Sequence, residues 1–157
     1  THIVFGYCFN STLGNSLDNC TAITHIDFGF NFNQPLDNSL NNCTALTHII
    51  FSFAFNQPLS NSLVFCTALT YIVFGEHFNQ PISNFMYNHP LLVHLRLGLS
   101  FNQKVDLPLE LRSLSLNCNN GSLIEYLPDT IEELELGKYF NLELNNLPSS
   151  IKKITFD

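Results

Sequence analysis

The stretch Thr24-His25-Ile26-Asp27-Phe28-Gly29-Phe30-Asn31-Phe32-Asn33-Gln34-Pro35 decides the fold, because its opening returns along the chain. Thr1-His2-Ile3-Val4-Phe5-Gly6, Thr47-His48-Ile49-Ile50-Phe51-Ser52 and Thr70-Tyr71-Ile72-Val73-Phe74-Gly75 repeat it at a spacing of 23 residues. Looser copies start at Val93-His94-Leu95-Arg96-Leu97, Arg112-Ser113-Leu114-Ser115-Leu116 and Glu132-Glu133-Leu134-Glu135-Leu136. The units 1–23, 24–46, 47–69, 70–92, 93–111, 112–131, 132–151 and a partial 152–157 leave no room for a linker or second domain in the 157 residues. A fixed period of this length means stacked supersecondary units, none of which buries its apolar face alone.

Each unit opens with alternation: Ile26 and Phe28 point one way, His25 and Asp27 the other, the period of a strand buried on one face. Gly29 and Pro35 then end the strand, since Gly permits a bend and Pro cannot donate a ladder hydrogen bond. The return path, as in Asn38-Ser39-Leu40-Asn41-Asn42-Cys43, has too few helix formers for a long helix. The expected fold is therefore a solenoid repeat. It has a parallel β-sheet on the concave face and short 3₁₀ or irregular return segments on the convex face.

Register turns the units into columns. Phe5, Phe28, Phe51 and Phe74 form one inward stack, and Phe9, Phe32, Phe55, Phe78 and Phe101 form a second, with Phe140 further along. Beside them run Asn10, Asn33, Asn56, Asn79, Asn102 and Asn141, expected as a buried amide ladder that satisfies turn backbone. On the outward face, His2, His25, His48, Tyr71 and His94 make one column, and Val4, Asp27, Ile50, Val73 and Arg96 make the next. Binding is expected on this concave face, at His2, His25, Asp27, His48, Ile50, Tyr71, Val73, His94 and Arg96, because a solenoid recognises partners through its repeated surface. The column grades from aromatic and aliphatic to charged, which suits a protein partner with an apolar anchor and a polar rim.

Composition narrows the function. With 45% hydrophobic residues and 15 Phe the chain is not a disordered one, and no apolar run reaches bilayer length. A net charge of −7 is the opposite of a nucleic-acid footprint. All six basic residues lie beyond position 92, whereas residues 1–92 carry the acids Asp18, Asp27, Asp37 and Glu76. Neither nucleic acid nor membrane is expected as a partner, and no cofactor. Three histidines in a column invite a metal reading, but side chains on adjacent parallel strands point the same way and do not converge on one ion. No metal site is expected. Cys20, Cys43 and Cys66 share a return-segment column with His89, where small buried thiols fit better than a nucleophile lacking an orienting third group. The chain is not expected to be an enzyme. Sequons at Asn10, Asn19, Asn42 and Asn120 matter only in a secretory compartment.

Phe32-Asn33-Gln34-Pro35, Phe55-Asn56-Gln57-Pro58 and Phe78-Asn79-Gln80-Pro81-Ile82, with the joints Leu127-Pro128-Asp129-Thr130-Ile131 and Leu147-Pro148-Ser149-Ser150-Ile151, resemble the FNIP-repeat family of leucine-rich repeats. The Asn-Cys-Thr-Ala joints at Asn19 and Asn42 are also similar to BspA-type leucine-rich repeats. Unit 1 departs from the pattern at Ser11-Thr12, and unit 6 lacks the Phe-Asn pair, so distortion is expected there. FNIP-repeat proteins are known mainly from slime moulds and giant DNA viruses of protists, often joined to an F-box. The resemblance implies a non-enzymatic substrate-recognition or scaffold domain in the cytoplasm of a host or protist cell, with no catalytic residues to carry over. Alternatives are a structural module that self-associates through uncapped solenoid ends, and an adhesin-like extracellular repeat. The lack of an initiator Met and the stop inside a unit make a fragment of a longer protein the expectation.

Overall fold

A computed structural model describes residues 1–157. Eight parallel strands form one sheet in strict sequence order, winding a solenoid of about seven turns. The strands are β1 (His2–Val4), β2 (His25–Asp27), β3 (His48–Ile50), β4 (Tyr71–Val73), β5 (His94–Leu97), β6 (Ser113–Leu116), β7 (Glu133–Leu136) and β8 (Lys153–Phe156). Every pair is in the register that the repeat implies, for example Ile26 on Ile49 and His25 on His48. Adjacent strands belong to consecutive coils, so each strand pairs only with those of its neighbouring coils.

Inward side chains fill the core. Ile26, Ile49, Ile72, Leu95, Leu114 and Leu134 form one buried column under the strands. The two Phe columns interlock within each coil, with centroids 4.5 Å apart for Phe28–Phe32 and Phe51–Phe55 and 4.1 Å for Phe74–Phe78. Between coils the rings lie nearly parallel, 6.1 Å for Phe32–Phe55 and 6.0 Å for Phe55–Phe78. Each coil therefore packs its own pair of rings and the pairs on both sides.

The turn after each strand brings coil backbones close together. At Gly75 an added Cβ would collide with Ser52 O, and at Gly98 with Gly75 O, so only glycine lets those turns nest. Gly6, in the first coil, has nothing within 4 Å.

The return side follows the expectation in most coils. N–H groups bond three residues back at Ser39–Leu36, Cys43–Leu40, Ser62–Leu59 and Cys66–Leu63, the tight pattern of 3₁₀ geometry. Two coils differ, forming short α-helices α1 (Ser83–Asn88) and α2 (Gly121–Glu125). Phe85 with Met86, and Leu123 with Ile124, supply consecutive buried residues, and a helical turn is what places both of them inward.

The Asn ladder also departs from the sequence reading. Asn33, Asn56, Asn79 and Asn102 each donate a backbone N–H to Oδ1 of the preceding ladder Asn at 2.8–3.0 Å. Asn141 does not follow Asn102: its N–H goes to Asn119 Oδ1 at 2.8 Å. In unit 6, Cys118-Asn119 takes the place of Phe-Asn, with Cys118 buried in the aromatic column. The ladder amides, expected to be buried, are half-buried at Asn33, Asn56 and Asn79 and exposed at Asn10, Asn102 and Asn141, because they lie in the turns at the rim of the coils rather than in the core.

Candidate functional site

The outward face of the sheet carries the columns singled out above. His2, His25, His48, Tyr71 and His94 are brought into one continuous ring ladder, with centroid separations of 4.0, 4.1, 5.0 and 4.1 Å in that order. Strand spacing of about 4.8 Å dictates this, since identical positions on paired strands stand one above the next. His25 and His48 are half-buried by their neighbours in the stack, whereas His2 at the end is exposed.

A threonine ladder orients the rings. Thr24 Oγ1 donates to the Thr1 carbonyl and Thr47 Oγ1 to the Thr24 carbonyl, both at 3.0 Å. The Nδ1 atoms of His25 and His48 lie 2.8 Å from Thr24 Oγ1 and Thr47 Oγ1 respectively. Further along, His94 Nδ1 meets Ser113 Oγ at 3.0 Å. Desolvation in the stack, followed by the charges of His48 and His2, holds the His25 imidazole below its ordinary pKa. Burial does the same for His48 and His94, and at His94 the carboxylates of Glu135 and Glu133 oppose it.

The second column is less uniform. Val4 is 74% exposed, and Ile50 and Val73 are half-buried. Asp27 Oδ1 accepts the Gly29 N–H at 2.8 Å, so this carboxylate pins the turn in which Gly29 sits at a φ of 69°. Arg96, expected among the binding residues, pairs with Glu76 at 3.4 Å. Glu76 also accepts the Leu99 N–H at 2.7 Å and Asn117 Nδ2 at 2.9 Å, which ties three coils together.

With that geometry in view, the FNIP Repeat family matches residues 119–157. A crystal structure of CroV588, described as a novel circular LRR protein, matches with a TM-score of 0.75 and 32% sequence identity over 99% of this chain. The chain is a repeat protein of the FNIP/leucine-rich-repeat type. It covers 23% of the CroV588 chain. No curated protein matches it in sequence.

The FNIP-type coils carry two surface features that the sequence reading missed. A second open aromatic column follows the strands: Tyr7 stacks on Phe30 at 4.5 Å, Phe30 on Phe53 at 4.8 Å, and His77 tilts against Phe53 at 4.8 Å. Its signal was the residue after the turn glycine, aromatic in Gly6-Tyr7 and Gly29-Phe30. The other is a cleft of about 410 Å³ between the turns of units 5 and 7, walled by Phe53, His77, Leu99 and Tyr139 and floored by Asn117. It opens because unit 6 goes from Asn117 straight to Cys118, whereas Leu99-Ser100 and Lys138-Tyr139 fill that position in its neighbours.

On the return side, all five cysteines carry free thiols. Burial, then the charge of Cys43, pushes Cys66 up to about 12, and its Sγ donates to the Leu40 carbonyl at 3.5 Å. One coil on, His89 occupies the same position, with Nε2 3.1 Å from the Leu63 carbonyl and Nδ1 2.8 Å from the Phe85 carbonyl. Both groups are turned to backbone, which is a structural use of these side chains.

Proposed function

We propose that the chain is a non-enzymatic protein-interaction module whose recognition surface is the outward sheet face around His25, Asp27, His48, Ile50, Tyr71 and Val73. The repeat fold, related to leucine-rich-repeat proteins, is consistent with such a module, and repeat families of this type are generally non-enzymatic scaffolds. The observation that carries the reading is the unbroken ring ladder from His2 to His94, flanked by the exposed Val4 and by the second aromatic column from Tyr7 to Phe53. Rigid rings on a sheet lose little conformational entropy when a partner settles on them. A finer version places the face as the substrate receptor of an F-box-type ubiquitin ligase in the cytoplasm of a host or protist cell.

The test is affinity capture from host-type lysate, followed by reconstitution with each purified candidate. The native chain is compared with a variant carrying His25→Ser, His48→Ser, Ile50→Ser and Tyr71→Ser. A partner that binds the native chain directly and is lost in a folded variant supports the face; ligase clients among such partners support the finer version. Equal binding by both proteins sinks the reading.

A further inference from the structure

The turn after each strand projects one side chain, and unit 6 lacks it. This rung follows Gly6, Gly29, Ser52, Gly75, Gly98 and Gly137, and is Tyr7, Phe30, Phe53, Glu76, Leu99 and Lys138 respectively. In unit 6 Asn117 takes the glycine position and Cys118 follows at once, so the rung and the residue beside it are both absent. The strands do not close up over this loss. Leu116 stays paired with Leu97 and with Leu136, and the N–H groups of Asn117 and Gly137 bond the Leu97 and Leu116 carbonyls at 3.0 and 2.9 Å. The shortening therefore falls wholly in the turn, and the turns of units 5 and 7 remain two strand spacings apart. Where rungs are complete, a flat ring fills that space: Phe30 lies 4.5 Å from Tyr7 and 4.8 Å from Phe53, nearly parallel to both. The cleft of about 410 Å³ opens where unit 6 has no such ring.

The groups around the cleft are suited to an aromatic guest. Leu99 and Tyr139 are 46% and 56% exposed. Lys138 Nζ lies 4.8 Å from the Tyr139 ring centroid and belongs to none of the ion pairs. Glu76 has both oxygens engaged, one by Arg96 and Asn117 Nδ2 and the other by the Leu99 N–H, so its charge is already answered. Asp157 is the other lining charge outside the ion pairs.

We propose that this cleft takes one aromatic side chain, a tyrosine or tryptophan, from a protein partner, inserted between the turns of units 5 and 7 as the missing rung. The inference rests on the reading of the chain as a protein-interaction module and adds an anchor beside the sheet face. A flat ring fits a gap one coil thick, which a saturated ring of similar area overfills. Its faces meet Leu99 on one side and Lys138 with Tyr139 on the other, so the negative π-face answers an uncommitted ammonium. Its N–H or O–H stays at the mouth, open to solvent and the Asp157 carboxylate. Aromatic anchors seated in pockets are where binding energy concentrates.

The experiment is an amide NMR titration of the purified chain with indole, and with cyclohexanol as a saturated probe. Indole should produce saturable shifts at Leu99, Ser100, Asn117, Lys138 and Tyr139, and cyclohexanol should bind about fivefold more weakly or less. Ser100→Trp, at an exposed position on the cleft, supplies a ring from the chain itself. It should leave the melting temperature unchanged and weaken indole binding about tenfold or more. The absence of saturable shifts, shifts centred elsewhere, equal affinity for cyclohexanol, or unchanged indole binding by the folded variant overturns the proposal. A purified partner should bind Ser100→Trp at least about tenfold more weakly than the native chain. A partner that the four-serine variant loses but Ser100→Trp binds as the native chain does overturns the anchor while leaving the sheet face as the recognition surface.

Discussion

Replacing Asn56 by Ala tests the amide ladder at the middle of the stack. Asn56 Oδ1 accepts the Asn79 N–H at 2.9 Å and Gln80 Nε2 at 3.1 Å, and both partners are half-buried. Truncation leaves the Asn79 N–H without its acceptor, whereas Gln80 Nε2 keeps the Asn56 carbonyl at 3.1 Å. One orphaned, partly covered backbone donor costs about 1–2 kcal/mol. With a urea slope of about 2 kcal/mol per molar, the unfolding midpoint should fall by roughly 0.5–1 M. Two controls sharpen the test. Asn56 Nδ2 makes no hydrogen bond, so Asn56→Asp keeps the acceptor geometry and gains charge-assisted bonds; it should lose less than Asn56→Ala. Asn10 is exposed, and water can take over its bonds to the Asn33 N–H and Gln34 Nε2, so Asn10→Ala should cost under about 0.5 kcal/mol. Urea titrations followed by circular dichroism read all three. If the Asp variant is as unstable as the Ala variant, or Asn10→Ala costs as much as Asn56→Ala, acceptance by Oδ1 is not what the ladder contributes.

Three further outcomes follow from the same geometry. Gly75→Ala drives a Cβ into Ser52 O and should cost about 1–3 kcal/mol or more, whereas Gly6→Ala meets nothing within 4 Å and should be neutral to about 0.5 kcal/mol in thermal melts. Because His25, His48 and His94 are held below the ordinary imidazole value, the unfolded chain binds more protons than the folded one just below about pH 6.5. Stability should be flat above that pH and fall as pH drops through the folded-state values, and His25→Phe with His48→Phe should flatten the slope; an unchanged slope would place the titrating groups elsewhere. In native thiol labelling the exposed Cys8 should react first and the buried Cys43, Cys66 and Cys118 only on unfolding, a pattern that mass spectrometry of labelled peptides reads directly.

The candidate face was only partly legible from the residues. His2, His25, His48, Tyr71 and His94 stack as their spacing implies, because a single column needs nothing beyond a period and a strand register. The pairing of Arg96 with Glu76 was not legible, since Glu76 lies 20 residues away in the turn of the preceding coil, outside the strand columns. The Tyr7–Phe30–Phe53 column and the cleft over Asn117 were missed for a related reason. The column keeps the 23-residue spacing but lies past the strand, where alternation no longer says which way a side chain points, and the cleft belongs to turns whose lengths differ from coil to coil.

What the amino-acid order determined alone is the period, the parallel register and the inward columns. A 23-residue repeat of alternating apolar residues can bury its apolar face only by stacking on copies of itself. Tertiary structure alone decided which ring nitrogen the histidines turn to the threonine hydroxyls, which acids and bases are already paired, and where the Asn ladder breaks at Asn119. Those features depend on hydrogen bonds between atoms of different coils, and such bonds answer to distance and direction, which no pattern along the chain specifies.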